Sequence, residues 1–223
     1  TAALQAAYNA TAEIPVLGTS ITEYGVALGL NDFNGTVGGN ISGTSDLAPL
    51  TQQGDMILEL FPQCKTVGLL YCSAEPNSEY QVRVMEEYLG GKGIATERYS
   101  FSDTNDISAV ATAAAKASDV IYIPTDNTAA SCTGTISNIV LQEKVPVVAG
   151  EEGICSGCGV AALSISYYDL GYKTGEMAAK ILRGEVKISE MPIEYAPAKK
   201  VYNAEMCAEL GIEVPSDYEA IAK

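Results

Sequence analysis

Short apolar runs alternate with segments of helical periodicity between residues 65 and 153. The run KTVGLLYC (65–72) is β-branched and apolar, which predicts a strand. The segment PNSEYQVRVMEEYLGGKG follows it and places Val82, Met85 and Leu89 on one helical face before a glycine-rich stop. These two segments predict one strand–helix unit.

The same alternation recurs three times along this region. Further strands are predicted at IATERYSF (94–101), DVIYIPTD (119–126) and VPVVAGEEG (145–153). Helical faces lie between them, marked by Ile107 and by Ile136. Strands that recur with helices between them predict an α/β fold with a parallel sheet and right-handed crossovers.

The first 61 residues carry a weaker pattern. A helix is predicted at 1–12, a strand at IPVLGTS (14–20) and a capped helix at 47–61, with the Gly/Asn-rich passage 31–46 between them. A single clear strand cannot complete a doubly wound sheet. We therefore expect the lobe that these residues form, called the first lobe, to be N-terminally incomplete. It should have few strands and an apolar flank that is exposed or filled by another chain.

The last 60 residues predict a strand, a Tyr-Tyr-Asp junction and a helix in VAALSISYYDLGYKTGEMAAKILRG. An extended strand follows in MPIEYAPAKKVYN, and its Pro192 and Pro197 favour an edge strand or a crossing between lobes. The closing segments AEMCAELG and SDYEAIAK are interpreted as helical turns.

Composition and charge narrow the class of protein. Hydrophobic residues make up 47% of the 223-residue chain and charged residues 18%, which is typical of a globular protein. The formal net charge of −15 would repel nucleic-acid phosphates and anionic headgroups, so nucleic acid is excluded as a partner. No apolar stretch approaches the ~20 residues of a membrane span, and the first residues lack the pattern of a signal peptide.

The chain has six cysteines and no histidine. The spacing of Cys155-Ser-Gly-Cys158 allows a local disulfide or half of a metal site, and a structural pair is favoured because zinc needs four ligands. We expect no metal, no cofactor and no role of this pair in ligand binding. Without histidine, a thiol nucleophile lacks its usual activating base, so an enzyme is disfavoured.

Polar clusters follow the predicted strands. SAEPNS follows the first strand of the regular region, PTDNT the third and GEEG the fourth. In open parallel sheets, ligands bind beyond the carboxyl ends of the strands. The candidate ligand-binding residues are Thr19, Ser20, Thr22, Ser73, Glu75, Asn77, Ser78, Thr125, Asp126, Asn127, Glu151 and Glu152.

Each cluster also has a purely structural interpretation. Asp and Asn are preferred helix N-caps, SAEPNS suits a capped turn, and an acidic pair suits a solvated turn. We nevertheless expect Asp126 to hold the ammonium group of a bound amino acid, and the helix start at Asn77 and Ser78 to hold its carboxylate. Tyr167 and Tyr168 suit core or hinge packing at least as well as stacking on a ligand.

Four segments, in this order, carry a family resemblance: LFPQCKTVGLLYCSAEPNSEYQV, DVIYIPTDNTAAS, VPVVAGEEG and ISYYDLGYKTGEMAAKILRGE. Together they resemble the substrate-binding component of a bacterial ABC importer of the TrpX-like, uncharacterised-type family. The resemblance implies a two-lobed periplasmic-binding fold of type I, with three chain crossings and a ligand in the cleft. It implies lobe 1 at 1–62 with 168–193 and lobe 2 at 63–167 with 194–223. Some members bind aromatic amino acids.

The function expected from these observations is that of an extracytoplasmic solute-binding protein. Its partners would be a small ligand, most plausibly an amino acid, and an ABC permease in the membrane. It would be periplasmic or anchored as a lipoprotein, and it would act by closing on its ligand. The alternative is a ligand-sensing domain of a receptor or regulator with the same fold.

Overall fold

The computed structural model describes residues 1–222. The helices are α1 Ala2–Ala10, α2 Tyr24–Leu28, α3 Leu50–Leu60, α4 Pro76–Gly91, α5 Ile107–Ala117, α6 Asn127–Ser131, α7 Thr133–Glu143, α8 Glu152–Cys158, α9 Tyr167–Leu182 and α10 Ala204–Leu210. The strands are β1 Val16–Gly18, β2 Ile41–Ser45, β3 Thr66–Cys72, β4 Ala95–Phe101, β5 Val120–Ile123, β6 Val147–Ala149, β7 Ala161–Ile165, β8 Glu194–Tyr195, β9 Ala198–Tyr202 and β10 Glu219–Ala220. Across residues 1–222, no helix is both long and apolar enough to cross a membrane.

The chain divides into two compact units. The smaller unit is Thr1–Leu47 with Ile165–Pro197, and the larger is Ala48–Ser164 with the chain from Ala198 on. This division differs from the boundaries drawn from the sequence, since the larger unit begins at Ala48 instead of residue 63. Helix α3 belongs to it because α3 packs against α4. The return crossings also shift by a few residues, because β8 pairs with a strand of the smaller unit.

The larger unit contains a seven-stranded sheet in the order β10-β9-β7-β6-β5-β3-β4. The recorded pairings are parallel, and they align Val67 with Val120 and Ile121 with Val147. The parallel α/β architecture predicted from the alternating pattern is confirmed. Strands β5, β6 and β7 are buried along their whole length, which is usual where helices cover both faces of a parallel sheet.

Helix α4 packs on this sheet through the apolar face that the sequence predicts. Val82, Met85 and Leu89 on that face are fully buried. Helix α4 also meets α3 at Gly54, where a Cβ atom would lie 2.6 Å from the ring of Tyr88. The absence of a side chain at Gly54 therefore lets the two helices approach closely.

The smaller unit contains a three-stranded sheet in the order β1-β2-β8, with parallel pairings. Its buried core consists of Leu4, Ile21, Tyr24, Ala27, Ile41 and Ile193. Within residues 1–222 the low strand count expected for this unit agrees with the structure.

Strand β2 was not predicted, because it lies inside the Gly/Asn-rich passage and is rich in Ser and Thr. The strand is buried throughout, and its hydroxyl groups have partners: Ser42 Oγ donates to the Met191 carbonyl at 2.9 Å, and Ser45 Oγ to the Thr22 carbonyl at 2.9 Å. At Gly43, φ is 146°, and a Cβ atom would collide with the Gly18 carbonyl. Polar residues form a core strand here because every neighbour supplies an acceptor.

Two further segments differ from the sequence interpretation. The Gly-rich stretch that contains Cys155 and Cys158 suggests a loop after a strand, but it forms helix α8, because Glu151 caps its first turn. The C-terminal segment that was interpreted as a helical turn contains the short strand β10, which pairs with β9.

Candidate functional site

Three loops of the larger unit meet at one edge of its sheet. They follow β3, β5 and β6, which are adjacent parallel strands, so their carboxyl ends lie together. Hydrogen bonds join the first two loops. Glu75 accepts from Asn127, and Asn77 donates to the Thr125 carbonyl. Asp126 accepts from the Cys72 N–H and from Ser78. We call this set of loops the larger-unit cluster.

Asp126 lies at the centre of the larger-unit cluster and is only 1% exposed. Its Oδ1 accepts the Ala129 N–H at 2.8 Å, which caps α6, and its Oδ2 accepts the Cys72 N–H at 2.7 Å. Burial raises the pKa of Asp126, and these two hydrogen bonds and one from Ser78 oppose that rise. Capping and strand linkage thus use both oxygens, and ligand binding by Asp126 stays a prediction.

The chain around Thr125 is held by two amides of α4. The Thr125 carbonyl accepts hydrogen bonds from Asn77 Nδ2 and Gln81 Nε2, both at 3.1 Å, and the Thr125 N–H donates to Gln81 Oε1 at 3.1 Å. Gln81 was missed by the sequence analysis. Its signal was a buried polar residue four positions after Asn77, on the helical face that otherwise carries apolar residues.

A second glutamine, also missed, supports the loop after β6. Gln53 is buried, its Nε2 donates to the Gly150 carbonyl at 3.2 Å, and its Oε1 accepts the Tyr122 hydroxyl at 2.6 Å. Gly150 itself is required by close packing, since a Cβ atom there would lie 2.5 Å from the Thr125 nitrogen. The loops after β5 and β6 are therefore fixed against each other.

Glu75 is half-buried and holds the start of α6. Its Oε1 accepts from the Thr128 N–H at 2.8 Å and the Thr128 hydroxyl at 2.7 Å, while its Oε2 accepts from the Asn127 N–H at 3.1 Å and Asn127 Nδ2 at 2.7 Å. Burial alone would raise the pKa of Glu75, but the hydrogen bonds from Thr128 and Asn127 outweigh it and lower the pKa. Glu75 is thus an ionised carboxylate surrounded by donors.

The remaining predicted residues of the larger unit differ in accessibility. Glu151 caps α8 by accepting from the N–H groups of Gly153, at 2.6 Å, and Ile154, and burial raises its pKa. Glu152 is exposed, Ser78 is buried, and Ser73 is exposed with its hydroxyl 3.2 Å from the Phe101 carbonyl.

The predicted residues of the smaller unit follow β1. The Thr174 hydroxyl lies 3.1 Å from that of Thr19 and 2.9 Å from that of Thr44, and the Thr44 hydroxyl accepts the Ser20 N–H at 3.2 Å. Ser20 has a left-handed backbone conformation with φ of 55°. Thr22 is buried. Hydroxyl groups of β2 and α9 therefore fix the loop after β1.

Asp46 directly follows β2 and was not predicted, because the strand before it was not recognised. It is 8% exposed; its Oδ2 accepts the Tyr167 hydroxyl at 3.3 Å, and the Thr22 hydroxyl also donates to the carboxylate. Its Oδ1 has no hydrogen-bond partner within residues 1–222. Burial raises the pKa of Asp46 to about 6, against the opposing effect of the hydrogen bonds from Thr22 and Tyr167.

Cys155 and Cys158 are buried free thiols on α8, and burial raises the pKa of both, that of Cys158 to about 12. In the described part of the chain, no three or more His, Cys, Asp or Glu side chains are arranged to hold a metal ion. The expectation that the pair has no role in ligand binding stays a prediction.

Comparison with known proteins identifies close relatives. A tyrosine-binding protein of Clostridioides difficile (strain R20291) is 33% identical over 193 residues, which are 86% of this chain and 55% of that protein. The chain thus spans about half the length of that curated relative.

Several solved structures are also similar to this chain. An ABC domain in complex with L-Trp from Streptococcus pneumoniae is similar with a TM-score of 0.90 and 32% identity, over 98% of this chain and 76% of that one. A ligand-free, open substrate-binding protein with adhesive properties from Clostridium difficile is 35% identical with a TM-score of 0.76, over 97% of this chain and 74% of that one. A LacI family transcriptional regulator from Bifidobacterium animalis, with 12% identity and a TM-score of 0.54 over 80% of this chain and 65% of that one, shares the fold alone.

The family model described as ABC transporter substrate binding protein matches residues 1–223. Proteins of this family have a non-enzymatic, substrate-binding function, which confirms the expectation that the chain is not an enzyme. With a match over its whole length and relatives above 30% identity, the chain belongs to the ABC transporter substrate-binding protein family.

Proposed function

We propose that this chain binds an aromatic amino acid and delivers it to an ABC importer. The observation that carries the proposal is the agreement between two relatives at 32–33% identity, one a tyrosine-binding protein and the other in complex with L-Trp. Both ligands are zwitterions that carry an aromatic ring, so one kind of site accommodates either.

The larger-unit cluster supports this proposal chemically. An α-amino acid needs donors for its carboxylate and an acceptor for its ammonium group. At the strand ends, the Asn127 amide and the Thr128 hydroxyl are donors that already bond to Glu75, and the exposed Glu152 carboxylate is an acceptor. The surrounding loops are fixed by buried glutamines, so such a site would be largely formed before the ligand arrives.

The importer role includes a location and a partner. A protein that passes a solute to an ABC permease must act outside the cytoplasm, either free in the periplasm or anchored to the membrane as a lipoprotein. We include both the permease and this location in the proposal on the basis of the family.

Isothermal titration of the purified chain against the twenty L-amino acids tests the binding part. We expect L-Trp or L-Tyr to bind with a Kd on the order of 1 μM, and at least about tenfold more tightly than L-Leu or L-Glu, a difference of ~1.4 kcal/mol. D-enantiomers of the best ligand serve as matched controls for the ammonium and carboxylate positions. The proposal fails if no L-amino acid gives a binding isotherm, or if aliphatic and aromatic amino acids bind equally.

A further inference from the structure

Asp46 of the smaller unit differs in its hydrogen bonding from three acids of the larger-unit cluster. Asp126 and Glu151 accept backbone N–H groups on both oxygens, and Glu75 accepts from five donors on three residues. Asp46 accepts from hydroxyl groups on one side, while its Oδ1 has no partner among the described residues. A buried polar atom without a partner is rare and calls for a specific explanation.

The position of Asp46 suggests that explanation. It follows β2, the central strand of the three-stranded parallel sheet, at the carboxyl end where such sheets bind ligands. The hydroxyl groups of Thr22 and Tyr167 hold the carboxylate in place. The side chain is therefore fixed at a strand end while one oxygen still lacks a donor.

The negative charge of Asp46 determines what kind of donor suits its unpartnered Oδ1. A buried carboxylate without a compensating donor is costly, and a cationic donor compensates it best. The α-amino group of Thr1 acts on Asp46 through its charge without a hydrogen bond to Oδ1, and Lys173 on α9 pairs with Glu194 at 2.6 Å. An ammonium group supplies both a positive charge and N–H donors to one oxygen.

We propose that Asp46 binds the α-ammonium group of the amino-acid ligand through Oδ1, with Tyr167 as the positioning residue that orients the carboxylate. This proposal rests on the proposed function, and it assigns to Asp46 the role that the sequence suggested for Asp126. Tyr167 is 43% exposed, so its ring is accessible while its hydroxyl holds Oδ2.

The test compares an amino acid with the same molecule lacking its ammonium group. The probes are L-Trp and L-Tyr, each with its des-amino analogue, 3-indolepropionate and 3-(4-hydroxyphenyl)propionate, titrated at neutral pH into wild type, Asp46→Asn, Tyr167→Phe and Asp32→Asn. Asp32 is an exposed acid of the same unit, so its variant removes the same charge without touching the carboxylate in question.

We expect Asp46→Asn to weaken binding of the amino acid by about thirtyfold or more and to leave the analogue within about threefold. Tyr167→Phe should weaken the amino acid by about threefold to tenfold, because Oδ2 loses one hydrogen bond, and Asp32→Asn should change neither probe by more than about twofold. The wild type should prefer the amino acid over the analogue by at least about tenfold.

The outcomes distinguish a failure of the proposed function from a failure of the Asp46 assignment. A wild type that binds neither L-Trp nor L-Tyr overturns the proposed function and this assignment with it. A wild type that binds an amino acid while Asp46→Asn binds it equally well overturns this assignment alone. If Asp46→Asn fails to fold in a thermal melt, equal binding of the amino acid and its analogue by the wild type still overturns the assignment.

Discussion

Two strand ends of this molecule carry a buried aspartate, and the two differ in what surrounds the carboxylate. In the larger unit, Asp126 receives a backbone N–H on each oxygen. In the smaller unit, Asp46 receives hydroxyl groups, and one oxygen has no partner in residues 1–222. Burial raises the pKa of both groups, so the degree of burial does not distinguish them.

The difference shows that position at a strand end does not by itself indicate a ligand contact. Backbone N–H groups that remain after a strand and before a helix need acceptors, and an aspartate in the connecting loop supplies them. An acid that satisfies such groups stabilises the fold. An acid with one oxygen that no donor reaches keeps a binding position for a ligand.

The largest expected effect concerns the tight packing of loops in the larger unit. Gly150→Ala would place a Cβ atom 2.5 Å from the Thr125 nitrogen and 2.6 Å from the Pro124 carbonyl carbon, so backbone must move. We expect a loss of about 3 kcal/mol in the free energy of unfolding, measured by urea denaturation. Gly134→Ala is the control, since its Cβ meets nothing within 4 Å, and it should gain about 0.5 kcal/mol. A loss below about 1 kcal/mol at Gly150 would show that the loops are loosely packed.

The next effect concerns the pH dependence contributed by Asp46. Its pKa is about 6 in the folded protein, above the value of about 3.9 expected for an unfolded chain, so the folded state binds more protons between these values. Wild-type stability should therefore fall by roughly 2–3 kcal/mol relative to Asp46→Asn as pH rises from about 4 to above 6.

The charged and titratable groups that act on Asp46 are the hydroxyl groups of Tyr24 and Tyr167 and the α-amino group of Thr1. Burial raises the pKa of Tyr24 above its ordinary value of about 10, so its phenol does not ionise in this pH window. Thermal melts of both proteins across the window measure the difference. Parallel curves would mean that Asp46 titrates normally and that its unpartnered oxygen carries no cost.

A smaller effect sharpens the comparison at Asp126. Asp and Asn are both preferred helix N-caps, so capping alone would let Asn replace Asp126 at little cost. In the structure, Oδ2 also accepts the Cys72 N–H, and an amide NH2 cannot do so. Asp126→Asn should therefore lose about 2 kcal/mol of stability, measured by urea denaturation. The matched control is Asp106→Asn, an exposed residue before α5 with no side-chain capping bond, which should change by less than about 0.5 kcal/mol. Equal effects would contradict the strand linkage.

The smallest effect concerns Ser20 in the smaller unit. A non-glycine residue at φ of 55° is strained, and Ser20→Gly removes that strain at the cost of a more flexible unfolded chain. We expect a net gain of about 0.5 kcal/mol in thermal melts. Lys144→Gly, at φ of 58° in the larger unit, should show the same net gain in stability. A clear loss at Ser20 alone would mean that its side chain stabilises the loop.

Much of the larger unit was predictable from sequence because its strands are apolar and its helices periodic. The face of α4 and the strands around it agree with the pattern. Strand β2 was not predictable by the same means, since its hydroxyl side chains are buried only because neighbouring backbone groups accept from them. Because β2 was not predicted from the sequence, Asp46 was assigned to a loop and not to the end of a strand.

The candidate site was predictable only in outline. Sequence position showed which residues follow strands, and in the structure Asn77 contacts Glu75 and Thr125 while Asp126 lies next to them. It could not show which acids are already satisfied, because that depends on backbone N–H groups whose directions are set by tertiary structure. Gln53 and Gln81 were missed for the same reason.

The two hydrogen bonds between Gln81 and Thr125 have a consequence for amide exchange with solvent. Amides in surface loops usually exchange quickly, since small local openings expose them. Here the N–H groups of Thr125, Cys72 and Ala129 donate to the buried side chains of Gln81 and Asp126. These amides can exchange only when α4 separates from the sheet or Asp126 leaves its pocket, so the loop after β5 should exchange as slowly as the core strands beside it.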